Sequence, residues 1–218
     1  MELLILRHGQ STNNALQDPE RRVCDPPLTE LGRRQAEALA HAVADAGIRR
    51  LYCSPMQRAL QTTRPISNAL ALEAEIWVGL HEHGGVFLEH NGVIVGYPGI
   101  RRSQITSEFP GYAIPAEVTE DGWWRGEKES LEACRVRAQR VAGQLGSLVG
   151  CEERVAIVTH GGFSDALLKA LLKQGDGRGY YYHHDNAAIT SVVFNEDGYL
   201  HLRYLNRVHH LPSALISA

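Results

Sequence analysis

The chain has 218 residues, 44% of them hydrophobic, with 22 Lys and Arg against 25 Asp and Glu for a formal net charge of −3. That length buries a sizeable core and reads as a single domain over residues 1–218, while the near-balanced charge leaves no basic stripe for nucleic acid or an anionic membrane, so a phosphate ligand would need a local positive pocket. No apolar stretch nears the roughly 20 residues that span a bilayer, and Arg7 and His8 interrupt the first hydrophobic run too early for a signal peptide, so the expected location is cytoplasmic.

The first run, Leu3-Leu4-Ile5-Leu6, has the continuity of a strand buried on both faces, and the polar cluster Arg7-His8-Gly9-Gln10-Ser11 follows at once. Asp25-Pro26-Pro27 reads as a turn. Thr29 is placed to N-cap a helix over 30 to about 46, with Leu31, Leu39 and Val43 on its inner face. Gly47 ends that helix, Leu51-Tyr52-Cys53 reads as a short strand, and Ser54-Pro55 opens a second helix carrying Arg58, Leu60 and Thr62, kinked or interrupted at Pro65. A third strand is expected at Ile76-Trp77-Val78. From about 79 to 128 periodicity is lost and Gly, Pro, His and aromatics abound, which marks a lid or specificity insertion.

A long amphipathic helix then covers 130 to about 149, and a fourth strand, Val155-Ala156-Ile157-Val158, leads to His160. Gly161-Gly162 opens a further helix through Ala166, Leu167, Ala170 and Leu171. Ile189-Thr190-Ser191-Val192-Val193-Phe194, the turn Asn195-Glu196-Asp197-Gly198, and the run from Tyr199 to Tyr204 suggest an antiparallel hairpin. The expected class is α/β: a three-layer α/β/α sandwich on a mostly parallel mixed sheet with a C-terminal antiparallel hairpin. Its functional crevice should lie at the carboxyl ends of the parallel strands.

Two segments, Leu6-Arg7-His8-Gly9 and Val158-Thr159-His160-Gly161, each put a histidine–glycine pair at the end of an apolar run. With Arg58 after the second strand and Glu82 after the third, the topology gathers two histidines, two arginines and a carboxylate at one sheet edge. That set suits a phosphate site with a nucleophilic histidine. The planar guanidinium fork donates two parallel hydrogen bonds to a phosphate, which lysine cannot do.

The other chemistry-bearing residues point elsewhere. His81, His83, His90, His183, His184, His209 and His210 lack the compact His-x-x-x-His spacing of zinc sites, so no metal is expected. His81 and His83, flanking Glu82, are the two best placed to line a substrate mouth. Cys24, Cys53, Cys134 and Cys151 contain no Cys-x-x-Cys pair and read as reduced thiols. Trp123 and Trp124, with Arg101 and Arg102, either close over a substrate or pack the insertion onto the core with the arginines solvated, the second being favoured.

The spacing over nearly the whole chain resembles the histidine phosphatase superfamily, also called the phosphoglycerate mutase-like family. Leu6-Arg7-His8-Gly9 is its signature; Ser11 and Asn14, Pro27-Leu28-Thr29-Glu30-Leu31-Gly32, the run from Ser54 to Thr62, Leu80-His81-Glu82, Val158-Thr159-His160-Gly161-Gly162 and Asn186-Ala187-Ala188-Ile189-Thr190 follow in order. The resemblance implies a metal-independent, histidine acid phosphatase-like phosphomonoesterase that needs no cofactor. His8 would attack phosphorus, Arg7, Arg58 and His160 would clamp the phosphate, and Glu82 would donate the proton to the leaving group. Asn14, the N–H of Gly161 and the unpaired N–H groups at the start of the following helix would add donors.

Its partner would be a small phosphorylated substrate; the sequence leaves a homo-oligomer open. His83-Gly84-Gly85-Val86-Phe87-Leu88-Glu89 and Gln10-Ser11-Thr12-Asn13-Asn14 depart from the glycolytic mutase pattern and favour the phosphatase branch. A cofactor-dependent phosphoglycerate mutase, a catalytically silent phospholigand-binding module and a metal-dependent hydrolase are the alternatives.

Overall fold

The structure is a computed structural model that describes residues 1–148, 153–175, 179–195 and 198–218. In chain order it contains β1 (Glu2–Arg7), α1 (Glu30–Val43), β2 (Ile48–Cys53), α2 (Gln57–Leu70), β3 (Ala74–Ile76), β4 (Phe87–His90), β5 (Val93–Gly96), α3 (Arg102–Glu108) and β6 (Tyr112–Ala113). There follow α4 (Leu131–Gly146), β7 (Arg154–Thr159), α5 (Gly161–Leu171), β8 (Ile189–Phe194) and β9 (Leu200–Arg207). One seven-stranded sheet has the order β6-β3-β2-β7-β1-β8-β9, and β4 and β5 form a separate hairpin. The five strands from β6 to β1 pair in parallel; β8 runs antiparallel to both β1 and β9.

Alternation along β1 divides the core into two layers. Leu4 and Leu6 join Leu39, Val43 and Leu60 of α1 and α2 on one face. Leu3 and Ile5 join Val141, Leu145, Phe163 and Leu167 of α4 and α5 on the other. The chain leaves adjacent strands β2 and β7 toward opposite faces, into α2 and α5, which opens a crevice at the carboxyl edge.

The sequence reading needs local corrections. Thr29 caps α1 by accepting from Gly32 N–H at 3.0 Å, but the helix ends at Val43, where the Ala46 amide turns back to the Val43 carbonyl and Gly47 takes φ +67°. The third strand lies earlier than expected, because the Leu80 amide turns back to the Trp77 carbonyl and Val78–Leu80 tightens into a 3-10 turn. Helix α2 runs through Pro65 unbroken: buried Thr62, Thr63 and Ile66 anchor it on both sides, and proline removes only one backbone donor. Helix α4 starts after its Ser130 cap and ends at Gly146. Val149, Cys151, Glu196 and Asp197 lie outside the described residues.

The long segment after residue 79 is not without structure. It forms the β4–β5 hairpin, α3 and the edge strand β6, and Trp123 is buried in the core beside Trp124. Arg102, expected to be solvated, instead donates to the carbonyls of Pro115, Val118 and Ile114.

The loop after β1 is fixed by backbone contact. A Cβ on Gly32 would sit 2.1 Å from the Gln10 carbonyl oxygen, and one on Gly9 would sit 2.4 Å from the Gly32 carbonyl oxygen. Gly32→Ala should therefore destabilise the fold by about 2 kcal/mol or more, read as a fall in the urea midpoint. An unchanged midpoint would mean that this approach is not tight.

Candidate active site

Parallel register places Arg7 beside Thr159, so His8 and His160 leave neighbouring strands side by side, their ring centroids 5.0 Å apart. His8 N–H bonds the Thr159 carbonyl at 3.0 Å, and the His8 carbonyl accepts from Ala187 N–H at 3.1 Å. Ala187 holds φ +58° to do so, a left-handed conformation unfavourable for a residue with a Cβ. Thr62 ties the same loop to α2, its Oγ1 accepting from Gly9 N–H at 3.1 Å and donating to the Arg58 carbonyl at 2.7 Å. Four of the five expected residues, Arg7, His8, Arg58 and His160, are buried together.

The hydrogen bonds assign the His8 tautomer. Nδ1 faces the Gly9 carbonyl at 2.6 Å and must carry the proton, which leaves the lone pair on Nε2, where Arg58 Nε donates at 3.1 Å. Burial, then Arg58 and Arg7, push the His8 pKa well below its ordinary value, so the ring is neutral near neutral pH. Burial, followed by Arg58, does the same at His160. His160 Nε2 hydrogen-bonds with Ser54 Oγ at 2.8 Å. Its Nδ1 and the Nε of Arg7 are buried with no partner among the described residues. Arg7 Nη1 donates to the His184 carbonyl.

Glu82 is half-buried and sits across the start of α5. Its Oε1 accepts from His83 N–H at 2.8 Å and Phe163 N–H at 2.9 Å, and Oε2 from Gly162 N–H at 3.3 Å. The amides of Gly162 and Phe163, expected to await an anionic ligand, are thus already held by the Glu82 carboxyl group, and Gly161 N–H remains outside that contact. Asn14 is at the cavity wall, but its Oδ1 accepts from Ser11 N–H and Oγ, which leaves the amide Nδ2 as its donor.

Arg7, His8, Arg58, Asn14 and Glu82 open into one cavity of about 730 Å³. Its outer walls come from the 13–26 loop and the β4–β5 hairpin, bridged by His90 Nδ1 and Glu20 Oε2 at 2.6 Å. His83 lines this mouth, as expected. His81 does not: it is buried behind Glu82, with Nδ1 on the Val78 carbonyl at 2.7 Å. His90, named in the sequence only among the histidines without metal spacing, and Lys128, which the sequence did not mark, also line the mouth.

A buried ion pair braces the Glu82 loop from behind. Arg137 donates to Glu129 at 2.8 and 2.6 Å and to the carbonyls of Gly79 and His81 at 2.7 and 2.9 Å. Burial alone would raise the Glu129 pKa, but the hydrogen bonds from Arg137 chiefly, with His81 nearby, bring it down to about 2. Asp25, read from sequence as a turn residue, is also in this shell: it lies 3.7 Å from Arg58 Nη1.

The model of the histidine phosphatase superfamily (branch 1) matches residues 3–207. Glucosyl-3-phosphoglycerate phosphatase of Mycobacterium tuberculosis is 30% identical over 179 residues, 78% of this chain and 75% of that protein. A shorter match, 38% identical over 84 residues, is to the PE-PGRS family protein PE_PGRS11 of M. tuberculosis; it takes in 38% of this chain and 14% of that longer protein. Phosphoserine phosphatase of Entamoeba histolytica, solved as a histidine-to-alanine mutant with phosphoserine, has the same fold: TM-score 0.66 at 20% identity, over 97% of this chain and 99% of that one.

Proposed function

The chain belongs to the histidine phosphatase superfamily, and on that premise we propose that it is a metal-independent phosphomonoesterase working through a phosphohistidine on His8. One observation carries the reading. Two buried, neutral imidazoles lie 5.0 Å apart beside two guanidinium groups, with His160 Nδ1 and Arg7 Nε left without partners among the described residues. A phosphate bound there would meet donors already oriented for it.

The tautomer sets the chemistry. His8 Nε2 attacks phosphorus as the ester P–O bond breaks, and Nδ1–H keeps its hydrogen bond to the Gly9 carbonyl, which stabilises the charge that develops on the ring. Arg58 Nε moves from His8 Nε2 to a non-bridging phosphate oxygen, beside Arg7. Glu82 gives its proton to the leaving alkoxide, then as carboxylate accepts one from the water that attacks the phosphohistidine. Inorganic phosphate and the neutral enzyme result.

The substrate we favour is a small phosphomonoester that also bears a carboxylate. The cavity mouth holds Arg22, whose charge is felt at Arg58 and which pairs with no carboxylate among the described residues, whereas Lys128 and His90 face Glu89 and Glu20. The glucosyl-3-phosphoglycerate and phosphoserine named for the two relatives are substrates of this kind. Arg22→Ala should raise KM about tenfold for carboxylated phosphoesters and much less for p-nitrophenyl phosphate, as loss of one charge-assisted contact implies. Equal effects on both would remove Arg22 from substrate recognition.

The reading as a whole is tested by turnover of a phosphoester panel in excess EDTA. Sustained release of inorganic phosphate supports it. Loss of activity to the chelator with recovery on adding metal would make the enzyme metal-dependent. Transfer to a phosphoglycerate acceptor in place of water would make it a mutase, and tight phosphoester binding without turnover would make it a binding module.

A further inference from the structure

We propose that Asp25 is a positioning residue that holds the Arg58 guanidinium against His8. The inference rests on the phosphomonoesterase reading and adds a residue to it. Asp25 ends the loop that walls the cavity, and its side chain is 12% exposed. Among the described residues the carboxylate has two side-chain or amide partners, both on the first turn of α2. It lies 3.7 Å from Arg58 Nη1, and its two oxygens accept from Gln57 N–H at 3.1 and 3.2 Å. Helix α2 has no capping side chain of its own, since Met56 occupies the N-cap, so Asp25 supplies the cap from another part of the chain.

Arg58 has three anchors: Asp25 at Nη1, Met56 Sδ at 3.2 Å from Nη2, and His8 Nε2 at 3.1 Å from Nε. The last must yield when a phosphate binds. A weak thioether and the Asp25 charge then fix the guanidinium, and only the charge offsets the cost of keeping it buried. The chain of contacts from Asp25 through Arg58 to His8 links a residue outside the phosphate shell to the reacting nitrogen.

Ionisation of this carboxylate should therefore show in activity. Burial raises the Asp25 pKa to about 6, against the opposing pull of Arg58 and the Gln57 amide. Arg58 is the charge that faces it directly; Cys24 is its neighbour, Arg22 and Glu82 act on Arg58, and His8 is neutral. Protonation below about pH 6 discharges the pair and frees Arg58. The sign for stability is opposite: a carboxyl raised in the folded state stabilises the fold most below its ordinary value, and that contribution is lost as pH rises through about 6. Asp25 thus predicts an acid loss of activity that unfolding through Asp25 does not explain.

The test compares wild type, Asp25→Asn and Asp25→Glu for kcat and KM from pH 4.5 to 8, with inorganic phosphate affinity and Tm measured on the same samples. Asp25→Asn should keep the cap, lose about tenfold in kcat/KM at neutral pH, and lose the acid limb near pH 6. Asp25→Glu should recover part of the activity and keep an acid limb. A folded Asp25→Asn with wild-type kcat, KM and acid limb would overturn the proposal. If Asp25→Asn does not fold, the carboxyl carbon of Asp25 in wild type can be titrated by NMR: a midpoint matching the acid limb supports the proposal, and a limb at another pH contradicts it. If wild type turns over no phosphoester, the phosphomonoesterase reading fails. Phosphate affinity then decides Asp25 alone, weaker in Asp25→Asn if it positions Arg58 and unchanged if it does not.

Discussion

His8→Ala should lose turnover by on the order of 10⁴-fold or more while still binding phosphate, as expected when a nucleophile is removed from an otherwise intact site. On the proposed reading the two effects separate: His8 would supply the attacking Nε2, whereas Arg7, Arg58 and His160 would carry the remaining phosphate donors. The variant leaves a buried space and frees Arg58 Nε, so its fold should weaken by roughly 1–3 kcal/mol without being lost. Rates at matched Tm and far-UV signal, with phosphate affinity by calorimetry, check both halves. Wild-type turnover in a folded His8→Ala protein would require another nucleophile.

Glu82→Gln should show an effect that depends on the leaving group. Alkyl phosphomonoesters, whose alkoxides need a proton as they depart, should slow by about 10²–10⁴-fold, and p-nitrophenyl phosphate, whose phenolate leaves unaided, by far less. The structural cost is small and local. Glutamine keeps one carbonyl oxygen for the His83 and Phe163 amides but turns an NH2 toward Gly162 N–H, now at 3.3 Å from Oε2, for about 1–3 kcal/mol. An equal loss on both ester classes would make Glu82 a brace for α5 rather than the acid.

The architecture was legible wherever a run of apolar residues ended in polar ones. β1 and β7 each announced a buried strand with histidine at its exit, and parallel pairing is what brings the two histidines together. The boundaries that slipped depend on backbone contacts that composition does not reveal. The Leu80 amide turning back to the Trp77 carbonyl ends β3 early, and Thr62, Thr63 and Ile66 carry α2 past Pro65. The 79–128 segment was opaque for a different reason: its hairpin is short and its strand β6 has two residues, too few for periodicity to register.

The site divides in the same way. Arg7 ends a strand and His8, Arg58, Glu82 and His160 each come after one, so topology alone could gather them. Asp25, Arg137 and Glu129 act across the fold on residues 33, 56 or 58, and 8 positions away, through contacts that only packing creates. Asp25 carried one usable signal: an acid just before the Pro27-Leu28-Thr29 helix start, where a turn was the simpler reading.

The central claim is a phosphoryl group on His8, and rapid-quench mass spectrometry of wild type during turnover tests it most directly. Alkaline quenching preserves phosphohistidine. The account predicts one phosphoryl group on the peptide carrying His8, formed within the first turnover and lost on mild acid. Turnover that proceeds with His8 never phosphorylated, or with the phosphoryl group on another residue, would contradict it.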